Sequence, residues 1–214
     1  MDDLKITPAG EVNLKLCFVG DGACGKTSFL LSTSKGVFHN YYIPTVFEIY
    51  TADFEVQGVQ FNCAFWDTAG QDDYDRIRRL SYPDTHVICI CFEIGDPDSF
   101  ENILDKWDPE VRRYKKRRVP IFLLGFKKDL RNDPITIGKL EKTNRTVVSR
   151  TEAEEMARKI GAVAYLESSA VRHEGTKETF KTMFSMILEE SPELKKRYAA
   201  GRWRRTAAKL IQLD

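Results

Sequence analysis

Apolar strand-like runs alternate with helix-like segments along the chain, and this pattern predicts an α/β fold. The predicted strands are short runs rich in β-branched and aromatic residues, and they cover residues 13–19, 46–55, 59–66, 87–92, 119–126 and 163–166. The predicted helices follow the 3.6-residue period, and they cover about residues 26–35, 96–114, 151–161 and 176–190. Such alternation implies right-handed crossovers and a mainly parallel sheet with helices on both faces.

Local signals place several boundaries of these elements. Gln57-Gly58 lies between two strand patterns and predicts a hairpin turn. Asp96-Pro97 supplies an N-cap and a proline at the first helical position. Thr151 and Glu154 have the spacing of a capping box. Residues 131–150 are polar and predict an insertion with a short helix around residues 137–143.

The charge of the 214-residue chain separates a mildly acidic part from a basic C-terminal part. The formal net charge is only +1, yet residues 192–214 hold seven basic and two acidic groups, which leaves −4 for residues 1–191. Together with the first predicted strand at residue 13, this division predicts an N-terminal extension over residues 1–12, one domain over residues 13–191 and a basic tail over residues 192–214. Read alone, the overall net charge of +1 argues against nucleic-acid binding, and no apolar run is long enough for a membrane span.

The five cysteines match no zinc-binding spacing, and most lie inside apolar runs. A thiol in such a run behaves as a small buried hydrophobic group. The pattern predicts an intracellular protein in a reducing compartment.

The first candidate site is a phosphate-binding loop. Residues Gly20 to Thr27 fit the pattern G-x-x-x-x-G-K-[ST], after a predicted strand and before a predicted helix. The glycines let backbone N–H groups turn toward phosphate oxygens, and the helix N-terminus adds partial positive charge. Lys26 would reach the β- and γ-phosphates, and the Thr27 hydroxyl would bind magnesium. The alternative is a flexible glycine loop before a helix.

Two further segments narrow the chemistry. Asp67-Thr68-Ala69-Gly70-Gln71 follows a strand, where Asp67 can hold magnesium through water. Gly70 can offer its N–H to a γ-phosphate, and Gln71 can orient a water for in-line attack. Thr45 is either a turn residue or a second magnesium ligand in a loop that the γ-phosphate orders.

A base-binding site is predicted near the end of the strand at 119–126. Asp129 can accept both the ring N–H and the exocyclic amine of guanine, which adenine does not offer as a pair. The stem of Lys127 can cover the ring, and the Ala170 N–H can reach the guanine carbonyl. Taken alone, Lys127-Lys128-Asp129 would be a solvated charged turn.

From residue 13 to about residue 190 the chain closely resembles the Rho family of small GTPases, within the Ras superfamily. The phosphate loop, residues 42–48, residues 66–76, Leu80 to Thr85 and the insertion after Asp133 carry this resemblance. It implies a P-loop NTPase small G domain, with a six-stranded sheet that has one antiparallel edge strand and with a Rho-type insert helix. It implies GDP or GTP binding with Mg2+, slow GTP hydrolysis, exchange factors, GTPase-activating proteins and effectors, and signalling toward actin.

The candidate site residues follow from the motifs and the resemblance together. The catalytic candidates are Gln71, Lys26, Gly70 and Thr45. The magnesium candidates are Thr27, Thr45 and, through water, Asp67. The nucleotide-binding candidates are Gly22, Ala23, Cys24, Gly25, Lys26, Thr27, Ser28, Phe38, Tyr42 as an exposed lid, Thr45, Gly70, Lys127, Asp129, Ser169, Ala170 and Val171. The effector candidates are Phe47, Glu48, Tyr50, Trp66, Tyr74, Ile77 and Leu80, any of which could instead be core.

Several residues depart from the family pattern. Phe126 stands where Rho proteins usually carry Asn or Thr, and Phe cannot hydrogen bond to the phosphate loop. The loss predicts weaker nucleotide binding by about 1–3 kcal/mol, and faster release than from Phe126→Asn. Val171 replaces a lysine, while Ile49 and Arg79 replace an asparagine and a proline on the expected partner surface. The three histidines have no metal-ligand spacing and are interpreted as ordinary surface or strand-edge residues.

Three functions remain open at this stage. The first is a GTP-hydrolysing switch, the second a Rho-like binding module with fast exchange or little turnover, and the third a P-loop kinase or ATPase. The last cysteine is Cys91, so C-terminal prenylation is not expected of this sequence. Three alternatives are open for the basic tail: it binds an anionic membrane, it packs on the domain, or it is disordered. We expect a cytoplasmic monomer, peripheral at the membrane if the tail binds it.

Overall fold

Within residues 5–7, 11–39, 44–115 and 119–191, which the computed structural model describes, seven strands form one sheet. The strands are β1 (Lys5–Ile6), β2 (Val12–Gly20), β3 (Phe47–Val56), β4 (Val59–Thr68), β5 (Val87–Glu93), β6 (Ile121–Phe126) and β7 (Ala164–Glu167). Six of them lie in the order β3-β4-β2-β5-β6-β7. Every pair along this path is parallel except β3 with β4, which confirms the predicted sheet with one antiparallel edge strand.

The short strand β1 is an addition that the sequence analysis missed. It pairs antiparallel with the start of β2, where Ile6 lies opposite Val12. Its two residues lie inside the predicted N-terminal extension and are too few to show a strand period. Part of that extension is therefore hydrogen-bonded to the domain.

The helices pack against both faces of this sheet. Their bounds are α1 (Lys26–Lys35), α2 (Asp75–Arg79), α3 (Pro97–Asn102), α4 (Asp108–Tyr114), α5 (Pro134–Glu141), α6 (Arg150–Lys159) and α7 (Thr176–Glu190). Helices α3 and α4 are joined by a π-helical segment, Ile103–Trp107, where the sequence predicts an uninterrupted helix. Helices α1 and α7 begin and end as predicted, and α7 buries its predicted apolar face.

Two predicted helix starts were wrong. The insert helix α5 begins at Pro134 rather than near residue 137, because the Asp133 carboxylate caps it by accepting the Thr136 N–H at 2.8 Å. The capping box of α6 is formed by Ser149 and Glu152 rather than by Thr151 and Glu154. Ser149 satisfies the first free N–H groups two residues earlier, so Thr151 is already inside the helix.

The sheet separates two apolar layers. Phe29 of α1 and Phe180 and Phe184 of α7 pack on one face, and Trp107 packs among aliphatic residues on the other. All five cysteines are buried free thiols, and burial raises the pKa of the Cys17 thiol to about 12. No helix among the described residues is both long and apolar enough to cross a membrane.

Candidate functional site

The carboxyl ends of the parallel strands β2, β4, β6 and β7 open into one cavity of about 600 Å³. Ligands of such sheets bind at this edge. Most of the predicted nucleotide-binding residues line the cavity: Gly22, Ala23, Gly25, Lys26, Thr27, Ser28, Phe38, Thr45, Gly70, Lys127, Asp129, Ala170 and Val171. Gln71 lies on the same wall. Residues from five separate segments therefore meet at one place.

The predicted phosphate loop turns sharply between β2 and α1. Ala23 and Gly25 have φ angles of 62° and 113°, a region that leaves backbone N–H groups free to converge. Gly25 caps α1 without a side-chain hydrogen bond, so the first N–H groups of the helix remain available for an anion. The Lys26 ammonium is buried and donates to the carbonyls of Gly20 and Asp21 at 2.8 and 2.7 Å.

The π-helical segment holds the phosphate loop from the other side. Trp107 Nε1 and Asn102 Nδ2 each donate to one oxygen of the Asp21 carboxylate at 2.6 Å. The Trp107 side chain is fully buried. Sequence reasoning missed this contact because a tryptophan in a helical pattern is more often a core residue. The wider turn at residues 103–107 is typical of helical segments at functional sites.

Thr27, Thr45 and Asp67 converge from three segments at the predicted magnesium site. The Thr27 hydroxyl donates to Asp67 Oδ2 at 2.6 Å and lies 2.8 Å from the Thr45 hydroxyl. Asp67 is fully buried, and its Oδ1 atom has no hydrogen-bond partner. Burial raises the pKa of this carboxyl to about 6, although Thr27 and Lys26 oppose the rise.

A buried carboxylate oxygen without a donor is costly unless a cation or proton neutralises it. Two hydroxyl oxygens beside it complete a set of hard oxygen ligands, which Mg2+ prefers. The residues present therefore fit a Mg2+ ion, which the Thr27 and Thr45 hydroxyls would bind directly and Asp67 would hold through water.

Gly70 lies directly against the phosphate loop. A Cβ atom on Gly70 would stand 2.1 Å from the Gly22 nitrogen, so no other residue fits this backbone position. Lys106 donates to the Gly70 carbonyl at 3.0 Å. The buried Arg78 guanidinium donates to the carbonyls of Ala69 and Gln71 at 2.8 and 3.3 Å. These two cations, which the sequence did not point out, fix the backbone that carries Gln71.

Arg78 is itself held by carboxylates. It pairs with Glu110 of α4 at 2.7 Å and with Asp75. Burial raises the pKa of Glu110, but hydrogen bonds from Arg78 and Tyr82 outweigh this and leave the pKa below its usual range. The network joins the segment after β4 to α4.

The predicted base-binding residues lie at the other end of the cavity. Lys127 has a left-handed backbone with φ 55°, and its ammonium contacts Glu93 at the end of β5 at 2.5 Å. The Ser169 hydroxyl donates to Asp129 Oδ1 at 2.5 Å. Reciprocal backbone hydrogen bonds between Ser169 and Glu174 close the following turn, which presents Ala170 to the cavity.

Phe126 faces the core at the junction of the two ends. Its ring stacks on Phe29 of α1, with centroids 4.8 Å apart and planes at 27°, and it is 3% exposed. A Cβ atom on Gly25 would lie 3.2 Å from the Phe126 Cβ. An aromatic contact therefore joins β6 to the phosphate-loop helix, where the family resemblance leads one to expect hydrogen bonds.

Two predicted nucleotide-binding residues do not line the cavity, and a third lies outside the residues that the structure describes. Cys24 is 2% exposed and points into the core, so it can contribute only its backbone. Ser169 is fully buried behind Asp129. Tyr42 lies outside the described residues. Phe29, Glu48 and Phe126 line the cavity without having been predicted to do so.

The predicted effector residues divide by exposure. Leu80 and Ile77 are 73% and 40% exposed, Glu48 is exposed, and Phe47 and Tyr74 are half-buried. Trp66 lies on the sheet face opposite Phe65, half-buried beneath the Lys15 ammonium at 3.4 Å. Tyr50 is only 8% exposed and belongs to the core, which is the alternative that the sequence left open for each effector candidate. The family departures Ile49 and Arg79 are both exposed.

Comparisons with known proteins agree with this geometry. The model of the Ras family matches residues 15–189. The GTP-binding protein rho1 of Schizosaccharomyces pombe is 50% identical over 188 residues, which cover 87% of this chain and 93% of that protein. The GTP-binding protein RHO1 of Candida albicans is 50% identical over 189 residues, which cover 87% of this chain and 95% of that protein. The GTP-binding protein rho5 of Schizosaccharomyces pombe is 52% identical over 172 residues, which cover 80% of this chain and 86% of that protein.

Proposed function

The chain belongs to the Ras family as a Rho-like small GTPase, and from that premise we propose that it is a nucleotide-controlled switch in signalling to the actin cytoskeleton. It binds GDP and GTP with Mg2+ and hydrolyses GTP. Its GTP-bound form binds effectors, an exchange factor loads it, and a GTPase-activating protein switches it off.

The convergence of Thr27, Thr45 and Asp67 carries this proposal. Mg2+ bound there would neutralise charge on the β- and γ-phosphate oxygens. Thr45 belongs to a loop distinct from the phosphate loop, and its hydroxyl lies 2.8 Å from that of Thr27. A loop held at this point by metal and γ-phosphate is released when the γ-phosphate leaves, which is the basis of a switch.

The remaining residues of the cavity supply the other parts of the reaction. Lys26 and the N–H groups at the start of α1 would bind the phosphates. Gly70 would present its N–H to the γ-phosphate, and Gln71 would orient the attacking water. An activating protein would supply an arginine in trans, worth on the order of 10³–10⁵ in rate.

The opposite end of the cavity supports a preference for guanine. Asp129 would accept two hydrogen bonds from the base, and the Ala170 N–H would donate to its carbonyl. Ser169 already donates to Asp129 Oδ1 and so orients the carboxylate before ligand binds. Adenine would place a ring acceptor against that carboxylate, which disfavours it.

Phe126 favours a second candidate function, a Rho-like binding module that exchanges nucleotide quickly. The ring cannot donate a hydrogen bond to the phosphate loop, and it contacts Phe29 and Gly25 only by packing. Rapid exchange would keep such a protein loaded with GTP without an exchange factor.

One experiment separates these functions. The nucleotide bound to the purified full chain is quantified, and single-turnover hydrolysis of loaded GTP is then followed by phosphate release. A switch carries guanine nucleotide in equal molar amount and hydrolyses GTP slowly. A binding module carries GTP that persists. Copurified adenine nucleotide, or a chain that cannot be loaded with added GTP, would contradict both candidates.

The basic tail supports a peripheral membrane location at the cytoplasmic face. Residues 192–214, which lie outside the described part of the chain beyond position 191, have a net charge of +5. Each basic group near an anionic leaflet contributes on the order of 1 kcal/mol. Full chain and a variant with Arg202, Arg204 and Arg205 changed to Gln would be sedimented with anionic vesicles. Equal sedimentation would contradict membrane binding by charge. We further propose that the protein is a monomer, which light scattering tests.

A further inference from the structure

Ser32 and His173 form a hydrogen bond between two elements that frame the cavity. Ser32 Oγ lies 2.9 Å from His173 Nδ1, although the residues are 141 positions apart. Ser32 is on α1 and is 2% exposed, while His173 is an exposed residue of the turn after β7. From the sequence, His173 was interpreted as an ordinary surface or strand-edge residue, and no local pattern indicated that Ser32 would be its partner.

Other hydroxyls of α1 behave differently from Ser32. Thr33 Oγ1 donates to the Phe29 carbonyl at 2.8 Å, and Ser34 Oγ donates to the Leu30 carbonyl at 2.7 Å. Both bonds stay inside the helix, as serine and threonine side chains commonly do. The Ser32 hydroxyl instead contacts a side chain of another element, so this hydrogen bond depends on the tertiary arrangement.

Each partner is rigidly connected to one end of the nucleotide site. Helix α1 starts with Lys26 and Thr27, the predicted phosphate and magnesium residues. The turn after β7 is closed by the two backbone bonds between Ser169 and Glu174, and the His173 N–H donates to the Ala170 carbonyl at 3.2 Å. A displacement of His173 therefore displaces Ala170.

We propose that Ser32 and His173 are a positioning pair that sets how long guanine nucleotide stays bound, an inference that rests on the proposed function. Neither side chain lines the cavity. The pair acts by holding the base turn at a constant distance from the phosphate-loop helix. The Phe126–Phe29 stack joins the same two ends but, as a packing contact, permits sliding, whereas a hydrogen bond is directional.

The test measures dissociation of fluorescent GDP from the full chain in excess unlabelled GDP. Ser32→Ala and His173→Ala should each release nucleotide about two- to tenfold faster, the range of one neutral hydrogen bond. The double variant should release it no faster than the faster single variant, because the same bond is lost once. Ser34→Ala is the matched control on the same helix and should leave the rate unchanged.

Rescue distinguishes positioning from general damage to the turn. His173 has φ 53°, which Asn tolerates, and an Asn amide group occupies nearly the place of Nδ1. His173→Asn should therefore restore the slow rate, whereas His173→Gly, which tolerates the same φ but has no side chain to form the bond, should not. The Ala variant lies at an exposed site and is expected to fold.

Two results would overturn the pair while leaving the proposed function intact. The first is an Ala variant that still binds GDP and releases it at the wild-type rate. The second is a double variant whose dissociation rate increases by the product of the two single increases. A wild-type chain that binds no guanine nucleotide would overturn the proposed function and the pair together.

Discussion

Replacing Phe126 by Asn would test whether an aromatic contact has taken over a role of hydrogen bonds. The resemblance alone predicts that Phe126→Asn slows nucleotide release. The structure adds a cost, because the 3% exposed ring ends a run of stacked rings that continues through Phe29, Phe180 and Phe65. The Phe29–Phe180 and Phe180–Phe65 centroids are 5.3 and 4.6 Å apart.

The magnitude follows from the buried ring. Replacing a buried Phe by Ala lowers the free energy of unfolding by about 3–5 kcal/mol. Asn refills part of the space but buries an amide, which costs about 1–3 kcal/mol if it finds no partner. Loss of the aromatic pair with Phe29 adds about 0.5–1.5 kcal/mol. We expect Phe126→Asn to lose about 3–5 kcal/mol, a large part of the roughly 5–15 kcal/mol of a typical domain.

Urea unfolding of the full chain at one fixed, saturating GDP concentration measures this loss, since bound ligand itself raises stability. Phe126→Leu is the control that keeps the site apolar, and it should cost less than about 1.5 kcal/mol. Fluorescent-GDP release is followed separately on folded protein. An Asn variant within about 1 kcal/mol of wild type would refute the packing argument. Equal release rates would refute the hydrogen-bond argument.

Three further predictions concern the catalytic segment and the domain. Gln71→Leu should leave GDP binding intact and block stimulated phosphate release, because the attacking water loses its orienting group. Gly70→Ala should push its segment off the Gly22 backbone and slow GTP hydrolysis about 100-fold, the scale of a 1 Å misplacement. Burial raises the pKa of Glu167, but two 2.7 Å bonds from Arg131 outweigh this and hold it below its ordinary 4.5. The stabilisation is present above pH 4.5 and is lost as pH falls through the lowered pKa, so Arg131→Gln should lower the melting temperature more at pH 6 than at pH 3.5.

Each of these predictions has an outcome that contradicts it. Phosphate release unchanged in Gln71→Leu would remove that residue from the mechanism. A Gly70→Ala protein with normal hydrolysis would show that the phosphate loop yields easily. A melting-temperature difference independent of pH would mean that Arg131 stabilises by packing alone. Arg158→Gln, which removes an exposed pair with Glu155, serves as the control.

Much of the fold follows from local patterns. The bounds of Lys26–Lys35 were predictable because the phosphate-loop motif ends where that helix begins, and those of Thr176–Glu190 because an apolar stripe marks the helix. The insert helix and the capping box at Ser149 were misplaced by two or three residues. Several polar residues near each helix start could serve as caps, and only the backbone conformation selects one.

The candidate site divides in the same way. The phosphate loop, Asp67 and Asp129 were identifiable because their chemistry depends on short motifs at strand ends, and strand ends of a parallel sheet meet at one edge. Local patterns were thus sufficient to find the motifs, their order and the α/β class. Tertiary structure decided which distant side chains meet: Trp107 on Asp21, Tyr50 in the core, Phe126 on Phe29 and Ser32 on His173. A motif consists of residues that are neighbours in the sequence, so a local pattern reveals it. A hydrogen bond or ring contact between residues far apart in the sequence depends on how the helices pack on the sheet, and no local periodicity predicts that packing.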